Sequence, residues 1–177
     1  IAPVANLWLI AGGVYTHGER EVANRLVPAR GGRASYDPFA PKFGLLWQAT
    51  PAVQVYANYS RSVELPGYIE LNQAIYGGLP GFVDLAPQRA WTFEAGTRGR
   101  LGIAAWDVTV YRADLRGEML QFNTGPDIPA ATFNAGRTRH QGIEAALTLD
   151  LARWARLRQS WQLNDFRFRH DATYGNN

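Results

Sequence analysis

The run Val53-Gln54-Val55-Tyr56-Ala57-Asn58-Tyr59-Ser60-Arg61-Ser62 sets apolar or aromatic side chains at its odd positions through Tyr59 against mostly polar ones at its even positions. Successive side chains of a strand point to opposite faces, so this segment separates two unlike environments. Alternation alone also fits a soluble sheet with one wet face. The connections discriminate. A tight Thr50-Pro51-Ala52 turn leads into the strand, whereas a long segment rich in Gly, Pro and aromatic residues separates Glu64 from the next periodic stretch near Gln88. Short turns at one end of the strands and long loops at the other predict an all-β, antiparallel transmembrane β-barrel segment, its turns periplasmic and its loops extracellular.

About seven strands are expected on these patterns. The first, near Ala5 to His17, has apolar side chains at both parities (Leu7 and Leu9, Trp8 and Ile10), so its faces are ambiguous. The second sets Phe39, Phe43, Leu45 and Trp47 against Lys42, Gly44, Leu46 and Gln48, then turns at Pro51 into the Val53 strand. The fourth sets Trp91, Phe93, Ala95 and Thr97 against Thr92, Glu94, Gly96 and Arg98, and Gly99 to Gly102 reverses it. In the fifth the apolar set changes parity, from Trp106, Val108 and Val110 to Tyr111, Ala113 and Leu115, which requires a β-bulge or an exit from the membrane. A sixth strand carries Ile143, Ala145, Leu147 and Leu149. After a turn between Asp150 and Ala155, a seventh carries Leu157, Trp161 and Leu163, with Gln159 an exception on its apolar face. The tryptophans at 8, 47, 91, 106 and 161 mark interfacial girdles and lipid-facing wall. Phe93-Glu94-Ala95 and Ile143-Glu144-Ala145 each place a carboxylate between apolar neighbours, and both carboxylates need water or an arginine.

The 177 residues are 46% hydrophobic, which excludes a disordered chain. No run of about 18 apolar residues exists, so a transmembrane helix is not expected. Cysteine is absent, which removes thiolate metal sites and disulfide frameworks. The net charge of +3 comes from scattered arginines, with Lys42 the only lysine, and does not form the basic stripe of a nucleic-acid binder. His17, His140 and His170 lack metal-ligand spacing, and no metal site is expected. No G-x-S-x-G motif or other nucleophile, base and orienting group stand together, so an enzyme is not expected and no catalytic residue is assigned.

Several blocks in order resemble the barrel of TonB-dependent outer-membrane receptors, in the branch of ferric-siderophore and ferric-citrate receptors. These are Phe39 to Trp47, Val55 to Pro66, Trp91-Thr92-Phe93-Glu94-Ala95-Gly96-Thr97-Arg98-Gly99, Arg139-His140-Gln141-Gly142-Ile143-Glu144, and Asn164 to Phe168 followed by Tyr174 to Asn177. The resemblance implies that residues 1–177 are part of a roughly 22-stranded barrel with a plugged lumen, the plug domain and C-terminal strands lying outside the chain. It implies a bacterial outer-membrane receptor that binds and imports a ferric siderophore or similar metal chelate. The chelate is cargo and not a cofactor of the chain. The implied partners are outer-membrane lipid and lipopolysaccharide, and the TonB complex through an N-terminal region outside the chain. A passive porin and a barrel hydrolase are the alternatives.

Arginines at a mouth would draw an anionic chelate and aromatic faces would grip a planar one. The ligand-binding candidates are Arg61, Arg89, Arg137, Arg139 and His140, with Tyr68 and Tyr76, and beside them Phe82, in the long loop. Glu94, Arg98, Glu144 and Arg158 are expected to face the lumen and to pair within the wall.

Overall fold

The computed structural model describes residues 5–75, 79–123 and 130–170. Along these residues run β1 (Leu7–Tyr15), β2 (Gly18–Val22), β3 (Gly32–Tyr36), β4 (Phe39–Thr50), β5 (Val53–Glu64), a helical turn α1 (Tyr68–Leu71), β6 (Asn72–Ile75), β7 (Leu79–Phe82), β8 (Gln88–Leu101), β9 (Ala104–Arg116), β10 (Met119–Phe122), β11 (Ala131–Asn134), β12 (Arg137–Ala152) and β13 (Ala155–His170). Every long strand pairs antiparallel with its neighbour in one 7-stranded sheet, ordered β1-β4-β5-β8-β9-β12-β13. The six short strands form the separate hairpins β2–β3, β6–β7 and β10–β11 within the long connections. Among the described residues, no helix is long and apolar enough to cross a membrane.

The register makes the two faces uniform across strands. Leu9, Leu45, Ala57, Ala95, Val110, Ile143 and Leu163 form one row through successive pairings. The adjacent row of the same face holds Leu7, Trp47, Val55, Thr97, Val108, Ala145 and Trp161. The opposite face holds Gln54, Asn58, Glu94, Arg98, Asp107, Glu144, Ser160 and Gln162. The apolar face of such a wall meets hydrocarbon and the polar face lines an aqueous interior. Along β8 the outward face runs from Trp91 to Leu101; at about 3.4 Å per residue and a tilt of about 40° this covers about 26 Å of depth, the height of a membrane-spanning apolar band.

The tight turns set this register. Gly102 has φ +56°, in the left-handed region where glycine is favoured, and the Arg100 amide donates to the Ala52 carbonyl of the neighbouring turn at 3.0 Å. On the polar face Asp150 accepts from Arg100 at 2.8 Å and from Arg156, which ties the turn after β8 to the turn after β12.

The register resolves one open alternative and corrects one expectation. β9 has no bulge: its pairing with both β8 and β12 is continuous from Ala104 to Arg116. The parity change is instead an exit from the apolar band. Arg112, Asp114 and Arg116 continue the outward face of Trp106, Val108 and Val110, while Tyr111, Ala113 and Leu115 stay on the inner one. Register irregularities fall elsewhere, between Gln48 and Thr50, Asp150 and Ala152, and Arg137 and Thr138. Trp8 is also not in the lipid-facing set, because its partner is Leu46 and so it lies on the inner face with Ile10.

Two inner-face tyrosines lie across glycines. Tyr56 pairs with Gly96, and its hydroxyl reaches over that position to bond Thr109 on the next strand. Tyr111 pairs with Gly142 and donates to Asn164 Oδ1 beyond it at 2.8 Å. A Cβ at Gly96 would sit 2.5 Å from both the Tyr56 hydroxyl and the Val108 carbonyl oxygen, and that backbone atom has nowhere to go.

In the intact protein, Gly96→Val is therefore expected to cost about 1–3 kcal/mol through overpacking. The cost would appear as a lower temperature for the folded-to-unfolded shift in electrophoretic migration. Tyr56→Phe, which keeps the ring and loses the hydroxyl's bonds to Thr109 and Asp107, should cost only about 1 kcal/mol. Equal behaviour of the two variants would refute the packing argument.

Candidate functional site

Conventional burial in this chain is concentrated at the loop end of the wall. Val22, Ala34, Tyr36, Leu71, Leu85 and Ala135 are buried in the long connections, and Ala90 and Leu115 are buried on the adjoining inner face of the wall. Thr138, also on that inner face, is 4% exposed. Outward-facing neighbours at the same level, such as Trp91, stay exposed. The loop assembly thus leans over the inner side of the wall and forms one side of an extracellular mouth.

Side chains bonded to backbone groups stitch the connections together. Gln73, on β6, donates to the Thr132 carbonyl at 2.9 Å and accepts from the Thr132 amide at 2.7 Å, so it mimics one rung of a β-ladder between the second and third connections. Asn134 makes the same two-way contact with Ala86, accepting from its amide at 2.8 Å and donating to its carbonyl at 2.9 Å. The Tyr36 hydroxyl donates to the Leu85 carbonyl at 3.1 Å, joining the first connection to the second. Gly32 leaves room for the Phe82 ring, which a Cβ at that position would overlap. The second connection therefore folds back on its neighbours, a choice between self-packing and ligand contact that its aromatic composition left open.

Below the mouth the inner face carries a polar lattice. Gln54 donates to Gln48 Oε1 at 2.7 Å and accepts from Arg98 Nε at 2.8 Å, and the Arg98 guanidinium lies 5.9 Å from the Tyr56 ring centroid. Glu144 accepts from Gln162 at 3.1 Å. A cavity of about 460 Å³ lies over this lattice, lined by Tyr56, Asp107, Thr109, Glu144, Ser160 and Gln162. The expected pairing among Glu94, Arg98, Glu144 and Arg158 does not occur: among the described residues neither glutamate forms an ion pair, and Arg98 is held by the Gln54 amide, whereas Asp150 is the inner-face carboxylate that pairs with arginines. Arg158 shares the inner face, opposite Thr148.

The remaining candidates separate into two groups. His140 lies on the inner face at the mouth, stacked on Phe166 at 4.3 Å with Nε2 3.4 Å from Glu118 Oε1. Tyr68 begins α1, is exposed, and accepts from Asn72 at 2.8 Å. Tyr76 lies outside the described residues. Arg61, Arg89, Arg137 and Arg139 do not join them. The register puts Arg61 opposite Trp91, Arg139 opposite Asp114, and Arg89 and Arg137 opposite Arg116, all on the outward face, because the strict alternation of the pleat turns these positions away from the lumen. Among the described residues no three His, Asp or Glu side chains converge as metal ligands would.

At the base of the first connection, Asp37 Oδ1 accepts from the Tyr15 hydroxyl and lies 2.7 Å from His17 Nδ1. The hydrogen bond to Asp37 holds the His17 pKa above its usual 6.5, and the same contact, with Tyr15, holds the Asp37 carboxyl below its usual 3.8. A raised histidine contributes fully below 6.5 and loses its contribution as pH rises through its folded-state value. A lowered aspartate contributes above 3.8 and loses it as pH falls through its folded-state value. The clasp is thus complete only in mildly acid solution between those limits.

A profile of the family described as TonB dependent receptor-like, beta-barrel, matches residues 1–177. Among solved structures, the alcaligin outer-membrane receptor FauA from Bordetella pertussis is 18% identical with a TM-score of 0.64, the match covering 99% of this chain and 29% of that one. The unliganded ferric citrate transporter FecA is 21% identical with a TM-score of 0.70, covering 98% and 26%. The copper transporter OprC is 12% identical with a TM-score of 0.78, covering 93% and 27%. At these identities the likeness is one of fold, and the chain spans under a third of the length of each structure.

Two outcomes are expected. Gln73→Ala leaves the buried Thr132 amide and carbonyl without the Gln73 side chain and should weaken loop docking by about 1–3 kcal/mol, read as faster hydrogen exchange at Thr132 in the intact protein. An NMR titration of His17 should show a midpoint above 6.5 that falls in Asp37→Asn; an unchanged midpoint would dissolve the clasp.

Proposed function

We propose that this chain, which belongs to the TonB-dependent receptor-like β-barrel family, forms part of the wall and extracellular mouth of a receptor that binds and imports a ferric siderophore or similar metal chelate. Its location is the bacterial outer membrane. The observation that carries the reading is the bonded loop assembly covering the inner side of the wall at one end, with a polar lattice continuing below it. A passive pore gains nothing from fixing its loops so firmly over its own entrance. A capture surface does, because ordering the loops beforehand removes part of the entropy cost of binding.

In this reading Tyr68 and His140 offer aromatic and imidazole groups to the chelate at the mouth, and Tyr76, outside the described residues, stays a ligand candidate from the sequence. Glu94, Arg98, Glu144 and Arg158 line the conduit. Neither Glu94 nor Glu144 has an ion-pair partner among the described residues, which suits groups that meet water or a mobile plug, since a carboxylate buried without compensation would be costly. The rest of the receptor supplies the plug, the remaining strands and the segment that contacts TonB, and TonB delivers the energy for release. The chain holds no cofactor of its own and performs no catalysis; the chelate is carried unchanged. Two proteins of similar fold are a ferric citrate transporter and an alcaligin receptor, which supports a ferric chelate as the cargo class.

Deletion of the gene should abolish uptake of one radioactive ferric chelate, in a manner that also requires TonB, and the intact receptor should restore it. Uptake that persists without TonB would favour the passive porin. Cleavage of esters or peptides by the purified receptor would favour the hydrolase.

A further inference from the structure

The upper wall separates its basic and its aromatic side chains by face. Arg61, Arg89, Arg116, Arg137, Arg139 and Arg167 all face outward. On the inner face at the same levels, one row runs Lys42, Ser60, Thr92, Ala113, His140 and Phe166, and the next holds Ser62, Ala90, Leu115, Thr138 and Phe168. Lys42 is the only lysine or arginine in these two rows, and β5, β8 and β9 stand between it and His140. The charges nearer the mouth on this side are carboxylates. Glu118 accepts from the Thr138 hydroxyl and lies 3.4 Å from His140 Nε2, and Glu64 accepts from Gln88 Nε2 at 3.2 Å. The His140 and Phe166 rings stack with centroids 4.3 Å apart, and Phe166 remains 59% exposed.

We propose that this inner-face shelf selects an electrically neutral, aryl-bearing metal chelate as cargo, an inference that rests on the receptor reading and narrows it. The stacked rings of His140 and Phe166, with Phe168 in the next row, present aromatic surface on which a further ring can stack. The contact between Glu118 and the His140 edge orients this platform before cargo arrives, which lowers the cost of binding. Ser60, Ser62 and Thr92 add uncharged hydrogen-bonding groups for the oxygen atoms of a chelate. A chelate rimmed by carboxylates or other anionic donors would instead lose water in front of Glu64 and Glu118. The strand arginines that would replace that water face the other side of the pleat. The shelf thus favours one class of cargo and works against the other.

The test uses the intact receptor in detergent, with inert chromium(III) complexes standing in for ferric ones so that the ligands do not exchange. Tris(benzohydroxamate) is neutral and aromatic, tris(acetohydroxamate) neutral and aliphatic, tris(catecholate) anionic and aromatic, and tris(oxalate) anionic and aliphatic. Affinities are read by isothermal titration calorimetry. The benzohydroxamate complex should bind tightest, about three- to tenfold more tightly than its aliphatic counterpart. Phe166→Ala should abolish most of that preference and Phe166→Leu part of it, with the acetohydroxamate complex unaffected. Thr92→Arg, which sets a guanidinium into the inner row, should raise the affinity for the catecholate and oxalate complexes about tenfold. Arg116→Gln, on the outward face, should change none of the affinities. Heat-dependent electrophoretic migration checks the fold of each variant, and Thr92→Arg carries the test should Phe166→Ala not fold. Equal binding of the aryl and alkyl hydroxamates, no binding of the benzohydroxamate complex, or tighter binding of an anionic complex by the unaltered receptor would overturn the proposal. TonB-dependent uptake confined to anionic ferric chelates would also overturn it while leaving the receptor reading intact. Failure of every chelate to be taken up in a TonB-dependent manner would defeat the receptor reading itself.

Discussion

Wherever hydrocarbon is the solvent, each backbone amide and carbonyl must be paired within the protein, and for a strand the partners must be other strands. That requirement produces the ordered neighbour pairing from β1 to β13. It also makes register the quantity on which all else depends. A slip of one residue between β5 and β8 would carry Glu94 to the lipid side and Phe93 to the aqueous side. The turn end secures against this. Gly102 supplies the left-handed turn, the Arg100 amide reaches the Ala52 carbonyl, and Asp150 holds Arg100 and Arg156 together. Turn chemistry fixes register, register fixes the face, and the face decides whether an arginine meets cargo or lipid.

The two short glutamate-containing motifs acquire a common meaning in this lattice. Glu94 pairs with Tyr111, which pairs with Gly142, and Gly96 pairs with Thr109, which pairs with Glu144. Glu94-x-Gly96 and Gly142-x-Glu144 thus cross the same two rows in the same chain direction on either side of β9, with carboxylate and glycine exchanged. Each row holds one carboxylate, one glycine and a hydroxyl between them. The glycine is needed where a tyrosine lies flat across the sheet: Tyr56 over Gly96 and Tyr111 over Gly142. What reads along the chain as a weak repeat is a two-dimensional pattern, one that requires the strands to be paired before it can be seen.

The wall was legible from the sequence because its two solvents write their difference into every second residue. The seven long strands fall where the alternation puts them, and the tight turns at Pro51 and Gly102 are where the turn residues sit. Legibility failed where that contrast fades. β1 has apolar residues on both faces, so only its pairing with β4 places Trp8 inside. In β9 the outward face leaves the apolar band between Val110 and Arg112, and a change of solvent along one strand looks the same as a bulge in a one-dimensional pattern. The loop assembly was invisible for another reason. Gln73 and Asn134 act by imitating peptide groups for distant backbone, and a polar side chain with that role carries no periodic mark.

The same argument explains where the chain's buried core lies. A membrane wall obtains apolar surroundings from lipid on one side and has little reason to bury large side chains in itself; its outward Trp, Phe and Leu residues remain exposed in the isolated arc. The connections lie in water and must order themselves by the rules of soluble proteins. They do so by burying Leu71, Leu85, Tyr36 and Val22, while Leu115 is buried at the top of the wall. Leu115 belongs to the wall by pairing and is buried at its loop end. Rigidity of the mouth is therefore inherited from the barrel: the strands present a few small or apolar inner-face residues above the membrane level, and the loops condense on them.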